Sequence, residues 1–405
     1  MTSDRQSRQN SKEKFDILKR RNSKATIQHA ANDALYHLDT VQDPRTRPCD
    51  YPLREILFVA VVASICGSES NEDIATFGRT QIQWFRQFLP LENGIPSHDT
   101  FRRIFMLLKP NALEEMSQEM FQELYLGKRG KHIAIDGKVS RGCYHVKGKS
   151  LLNMVSAYDT ETGISLGHVS TTNDEGKDVG EFNAIPKLIA QLDIKDTLIT
   201  IDAGGCYAEI TDVILDGGGS YAITLKENQP TLHKIAKSTF EQIEQNDFAE
   251  IASYRETARG HGRIEERTYY AVSIRQDDER LEKWSGLSTL VMGRFRRQEK
   301  GKEATEFTRY FISSLPCTEV ERLGQSLRGH WGIENGLHWV LDVSFGEDAN
   351  RTREGNGAEN LSILRRLALG MLKQVKGGKT IPNVKFRAAI DPEFRTKIIK
   401  QFLMR

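Results

Sequence analysis

The chain has 405 residues, enough for two or three domains of roughly 100–200 residues each. A net charge of +2 with 38% hydrophobic residues fits a globular protein, not a disordered or collagen-like one. The longest apolar run (Ile56 to Cys66) is too short for a bilayer, the N-terminus has no apolar signal core, and five scattered cysteines form no CxxC pair. Membrane insertion, secretion, a disulfide framework and a cysteine zinc site are therefore not expected, and a reducing cytoplasm fits best.

Charge is unevenly spread. Lys and Arg outnumber Asp and Glu by 8 to 3 over residues 1–24 and by 13 to 4 over residues 351–405. Basic ends suit phosphate contacts, although a solvated tail and a solvated helix face explain them as well. Residues 1–33 are polar and poor in aromatics and read as a disordered basic extension.

Residues 34–127 read as a helical domain. Pro52 before and Gly67 after the apolar run Leu53–Cys66 match the usual chemistry of helix ends. Asn71–Phe77 and Gln81–Phe88 carry apolar residues at three-to-four spacing. Ser97 is a candidate cap for a helix over Thr100–Leu108, where Arg102 and Arg103 make a DNA-reading helix–turn–helix conceivable; plain helical packing explains the pattern too.

The texture changes at Gly127-Lys-Arg-Gly. Strands are expected over Lys131–Asp136, Leu151–Tyr158 and Ile164–Thr172, a helix over Phe182–Leu192, a strand over Thr197–Asp202, a helix over Ala208–Leu215 and a strand over Ser220–Leu225. This order predicts an α/β fold, a mixed sheet flanked by helices that begins as a ribonuclease-H-like architecture does, preceded by the all-helical N-terminal domain. Strands return over Ile264–Ile274, Ser288–Phe295 and Thr308–Ile312, giving a β-rich insertion at about 246–316 within a domain spanning 128–375. Helices follow from Glu319 to Leu341 and over Ala358–Lys373. Residues 376–405 read as a basic C-terminal tail, irregular or weakly helical.

Two acids stand out by position. Asp136 and Asp202 each end an apolar strand and precede glycine-rich chain, at Gly137 and at Ala203-Gly204-Gly205. An acid there is costly unless it is paired or binds a cation, so two of them on adjacent strands could share Mg²⁺; capping a turn is the plain alternative. A third candidate is Glu334, in the His- and Trp-rich stretch from Arg328 to Asp342. His330, Glu334 and His338 recur every four residues on one expected helix face. That face could hold zinc, could direct Glu334 toward the two aspartates, or could simply pack its tryptophans.

At this constellation the chain resembles the DDE transposases of bacterial insertion sequences, within the IS4-like superfamily, and more narrowly it looks like the ISAs-type, H-repeat-associated group. The matching stretches include YPLREIL at 51–57, WFRQFLPLENGIPSHDTFRRIF at 84–105, IDGKVSRG at 135–142, GEFNAIP at 180–186, TIDAGGC at 200–206, LKENQ at 225–229 and HWGIENGLHWVLDVSFGED at 330–348. The resemblance implies that Asp136, Asp202 and Glu334 are the catalytic, metal-binding acids. The Glu347–Asp348 pair is the alternative source of the third carboxylate. It also implies Mg²⁺ or Mn²⁺ as cofactor, as two ions, and DNA as partner (element ends and target), bound by a homodimer in the cytoplasm without membrane contact. Lys138, Arg141, Lys226, Asn228, Arg328, His330 and Trp331 are candidate DNA contacts. Around the Glu, the wider superfamily carries Tyr, Arg and Lys where this chain has Leu327, His330 and Leu341. The implied reaction is cleavage at an element end followed by attack of the released 3′-OH on target DNA. The competing readings are a nuclease without strand transfer and a domesticated or inactive DNA-binding relic.

Overall fold

Pro52 leads into α1 (Leu53–Ile65), an almost wholly buried helix that closes before Gly67 at a φ of 105°. Next, α2 (Asn71–Thr80) starts on a reciprocal cap. Ser70 Oγ accepts from the Asp73 N–H at 3.1 Å, and Asp73 accepts from the Ser70 N–H at 3.0 Å. The expected helix over Gln81–Phe88 is a single turn, Ile82–Phe85. As expected, Ser97 caps α3 (His98–Leu107), and α4 (Pro110–Leu124) follows.

The structure is a computed structural model that describes residues 35–47, 49–124, 131–144, 151–172, 177–246, 248, 251–260, 262–274 and 278–403. The expectations for residues 1–33 and 127–130 lie outside these. The chain divides into two compact units: Met1–Gly127 with Ser140–Leu152 and Val340–Arg405, and Lys128–Val139 with Asn153–Trp339. Among the described residues no helix is long and apolar enough to cross a membrane.

The fold is mixed α/β. Strands β1 (His132–Tyr144), β2 (Leu151–Asp159) and β3 (Ile164–Ser170) precede α5 (Gly180–Ile189), β4 (Leu198–Ile201), α6 (Ala208–Asp216), β5 (Ser220–Leu225) and α7 (Pro230–Glu244). Then come β6 (Ala252–Gly260), β7 (Arg263–Ser273), β8 (Thr289–Glu299) and β9 (Thr305–Ser313). Together they form one nine-stranded sheet, ordered β3-β2-β1-β4-β5-β9-β8-β7-β6. Strands β6–β9 thus lengthen the first sheet, joining it through the antiparallel β5–β9 pair. Both α7 and β6 go beyond the sequence expectation.

Strand alternation assigns the two faces. Ile133, Ile135, Ile199 and Ile201 point to one side, where Ile185, Leu188, Ile210 and Ile214 of α5 and α6 bury them. Leu198, Ala222 and Phe311 point to the other, under Leu323 and Leu327 of α8 (Val320–Gly329). Beyond α8 the chain stays helical but irregular. Trp331–Ile333 leads into a π-helical turn, Glu334–His338, and then α9 (Trp339–Phe345).

The first unit is completed by α10 (Gly357–Val375), α11 (Ile381–Ile390) and α12 (Pro392–Phe402). Where irregular or weakly helical chain is expected after residue 376, two helices are found. Ile381, Val384, Ala388, Ile398, Ile399 and Phe402 supply a buried apolar face. Arg395 is fully buried and stacks 4.4 Å over the Trp84 ring.

Candidate active site

The parallel β1–β4 ladder pairs His132 with Leu198 and ends at Ile135 opposite Ile201. Asp136 and Asp202 are therefore the next residues on two adjacent parallel strands, roughly 4.8 Å apart. Asp202 leaves its strand at once and accepts from the Gly204 N–H at 2.8 Å. Asp136 does not end a strand, contrary to the sequence expectation. Its chain runs on in β conformation to Tyr144 after parting from β4. Burial pushes the Asp136 carboxyl up to about 8, and the like charges of Asp202, Glu181 and Glu334 add to it against the Gly137 N–H.

Glu181 is the acid that sequence reading passed over. It stands in the first turn of α5, just after Gly180 at a φ of 76°. A Cβ built on Gly137 would collide with Glu181 Oε1, and one built on Gly204 would lie 3.1 Å from Glu181 Oε2 and 3.0 Å from Asp202 Oδ1. The carboxylate thus lies between the chain just after Asp136 and the loop just after Asp202. Burial and Asp202 raise its pKa, while a hydrogen bond with Asn153 lowers it. Its only sequence signal was its place in the GEFNAIP stretch.

Glu334 opens the π turn and is exposed, with its pKa raised by partial desolvation and by Asp202 against the cation of Arg309. Each i→i+5 bond of a π turn takes up one residue more than an α turn, so the even four-residue spacing read from the sequence is broken here. His338 Nδ1 lies 3.5 Å from Asp136 Oδ2, and His330 Nδ1 lies 3.0 Å from Thr200 Oγ1. Burial lowers His330 to about 4, so near neutral pH its ring carries no charge. Glu347, the alternative third acid, is fully buried, accepts from Ser362 Oγ at 2.7 Å and pairs with Arg366 at 2.7 Å. Asp348 lies 3.7 Å from Arg141 Nε.

The expected DNA contacts fall in different settings. Lys138 is buried in β1, whereas the Arg141 side chain is 86% exposed. Lys226 is exposed and lines an open cleft with Gly204, Tyr207 and His233. Asn228 donates to the Ala203 carbonyl at 2.8 Å, tying the loop after β5 to the loop after Asp202. Arg328 and Trp331 line a second cleft, and Trp331 is 40% exposed. Sequence reading missed Arg309 of β9, which lies 5.8 Å over Trp331 and 5.2 Å over the exposed Phe307. Arg102 of α3 is ion-paired with Asp99 and Glu354.

Hard carboxylate oxygens are the donor chemistry of Mg²⁺ and Mn²⁺ sites. The like charges of Asp202 and Glu181 raise the proton affinity of Asp136, and Asp202 raises that of Glu181. Among the described residues, no three His, Cys, Asp or Glu side chains already stand together closely enough to hold one ion.

The family described as a transposase DDE domain matches residues 127–371, and the family described as "DDE_Tnp_1-associated" matches residues 35–120. The chain is 37% identical to the transposase-named YncI of Escherichia coli O157:H7, over 81% of this chain and 84% of that one. It is 34% identical to the H repeat-associated, transposase-named YhhI of Escherichia coli K12, over 90% of this chain and 96% of that one. A solved structure, a piggyBac transposase synaptic complex with hairpin DNA, aligns at a TM-score of 0.40 with 12% identity, covering 92% of this chain and 78% of that one. With the domain match spanning more than half of its length, the chain belongs to the DDE-domain transposases, enzymes that cleave and transfer DNA strands.

Proposed function

We propose that Asp136, Asp202 and Glu334 are the catalytic carboxylates of this transposase and that Glu181 is a fourth acid beside them. The observation that carries this reading is the register of β1 and β4, whose ladder stops one residue short of both aspartates. On this reading β3-β2-β1-β4-β5 is a ribonuclease-H-like core and β6–β9 its insertion. The donor set suits Mg²⁺ or Mn²⁺, held by Asp136, Asp202 and Glu334 as two ions, which when bound would activate the attacking oxygen and stabilise the leaving one. His338 steadies the Asp136 carboxylate from the π turn. Arg309, Trp331, Arg328, Lys226 and Arg141 offer cationic and stacking contacts to a DNA backbone, and neutral His330 serves otherwise. Paired cutting of two element ends calls for a homodimer on DNA.

The test is Mn²⁺-dependent nicking of a supercoiled plasmid by the full chain. Asp136→Asn, Asp202→Asn and Glu334→Gln should each abolish nicking while the protein still folds and binds DNA. Nicking retained by Asp136→Asn would overturn the three-acid assignment. Joining of pre-cut ends separates a transposase from a nuclease. The relic reading has one observation in its favour, 43% identity over 54 residues to YbfQ of Escherichia coli K12, named an inactive transposase. A wild-type chain that bound DNA and never nicked would support it.

A further inference from the structure

Behind the acids runs a row of polar side chains to which strand cleavage and transfer assign no task. Thr160 Oγ1 lies 2.9 Å from His132 Nδ1, His132 Nε2 lies 2.8 Å from Thr200 Oγ1, and Thr200 Oγ1 lies 3.0 Å from His330 Nδ1. Thr200 is fully buried and His132 nearly so. The four groups come from four places: the residue after β2, the start of β1, the middle of β4 and the residue after α8. Thr200 stands two residues before Asp202, and His330 stands four residues before Glu334.

The hydrogens can be counted along this row. A hydroxyl has one proton to give, so Thr200 donates to one imidazole and accepts from the other. If it donates to His330 Nδ1, then His132 carries its proton on Nε2 and its Nδ1 accepts from Thr160. If it donates to His132 Nε2, then His330 donates from Nδ1 and His132 donates from its own Nδ1 to Thr160. The Thr160 hydroxyl proton then goes to the His132 carbonyl at 3.2 Å. Both patterns satisfy every atom in the row with neutral rings, so the row is unbroken either way. Packing adds a second link: a Cβ built on Gly329 would lie 3.2 Å from both Cε1 and Nδ1 of His132, so the end of α8 rests directly on that ring.

Glu334 needs such support. It is exposed and sits on a π turn, a rare break in the regular helix repeat. Misplacing a reacting group by about 1 Å can cost on the order of 100-fold in rate. We propose that Thr200, backed by His132, is a positioning residue that grips His330 and so sets where the turn carrying Glu334 meets the strand that ends in Asp202. This rests on the proposed catalytic role of those two acids.

The test compares single-turnover Mn²⁺-dependent plasmid nicking, binding of a duplex from the same plasmid, and melting temperature for the full chain. Thr200→Val keeps the shape and removes both hydrogen bonds; nicking should slow by about 10- to 100-fold with duplex affinity within about twofold of wild type. Thr200→Ser restores the hydroxyl and should recover most of the rate. A second pair guards against misfolding: His330→Asn keeps a polar atom near the Nδ1 position and should nick faster than His330→Gln, which does not. Wild-type nicking by Thr200→Val, equal slowing by Thr200→Ser, or equal rates for the two His330 variants would overturn the proposal. Asp202→Asn runs alongside. If it still nicks, the catalytic assignment fails; if it is inactive while Thr200→Val is normal, only the positioning role fails.

Discussion

Glu181 fills the space that a side chain at residue 137 would need. A Cβ built on Gly137 runs into Glu181 Oε1, so the residue after Asp136 must stay without a side chain for that carboxylate to remain between the aspartates. Gly137→Ala should therefore displace Glu181 and cut plasmid nicking by about 10-fold or more. Far-ultraviolet circular dichroism should be unchanged. Glu181→Gln, which keeps the volume and removes the charge, should fold normally and lose activity if the carboxylate takes part. Normal nicking by both variants would confine Glu181 to packing.

The raised Asp136 pKa predicts a pH dependence of stability in metal-free protein. The carboxyl shifts from the usual 3.8 to about 8 on folding, so the folded state holds a proton that the unfolded state releases. Its contribution is full below about pH 4 and is lost as pH rises toward 8. Wild type should melt lower at pH 8 than at pH 5, and Asp136→Asn should narrow that gap, by roughly 2–4 °C for each kcal/mol recovered. Calorimetry at the two pH values reads the difference directly. An unchanged gap in Asp136→Asn would assign the effect to other groups.

Glu334 and Glu347 should fail in different ways. Glu347→Ala leaves Arg366 buried without its partner, so a loss of about 3–5 kcal/mol of stability is expected. Glu334→Ala removes an exposed side chain, so stability should change little while nicking disappears. Urea melts and nicking assays on both variants decide which acid belongs to chemistry and which to the core.

Arg309 should matter to DNA affinity. It lies over Trp331 and is the cation acting on Glu334, so one side chain faces both the stacking surface and an acid. Arg309→Ala should weaken duplex binding uniformly across sequences and lower the salt slope by about one. Anisotropy titrations from 50 to 200 mM salt would show this. An unchanged slope would place Arg309 off the DNA path.

Two of the acids are legible in the amino-acid sequence alone. An apolar run that meets an acid beside glycine singles out Asp136 and Asp202, a pattern that either a shared cation or the capping of a turn explains. Glu181 gives no such signal, since a Glu in a first helical turn is ordinary helix chemistry. Arg309 is hidden where β9 passes from its exposed first half to its buried end, and one cation among many carries no mark there. The same exposure hides β6, whose sequence ASYRETARG lacks a clean apolar alternation. In α7 the signal is present, with Leu232, Ala236 and Phe240 buried four residues apart behind Pro230. The last two helices are masked by their charge and by Pro382 and Pro392, which look like breakers yet sit at helix starts.

The nine-strand order has a consequence for how this protein avoids sticking to itself. Without β9, the backbone N–H and C=O groups along one side of β5 would lie bare, one strand from the acid-bearing β4. A bare strand edge recruits other strands. The added strands move that edge four spacings away, roughly 19 Å at about 4.8 Å each. There it falls on β6, where Arg255, Glu256 and Arg259 make a charged border that foreign strands find hard to join.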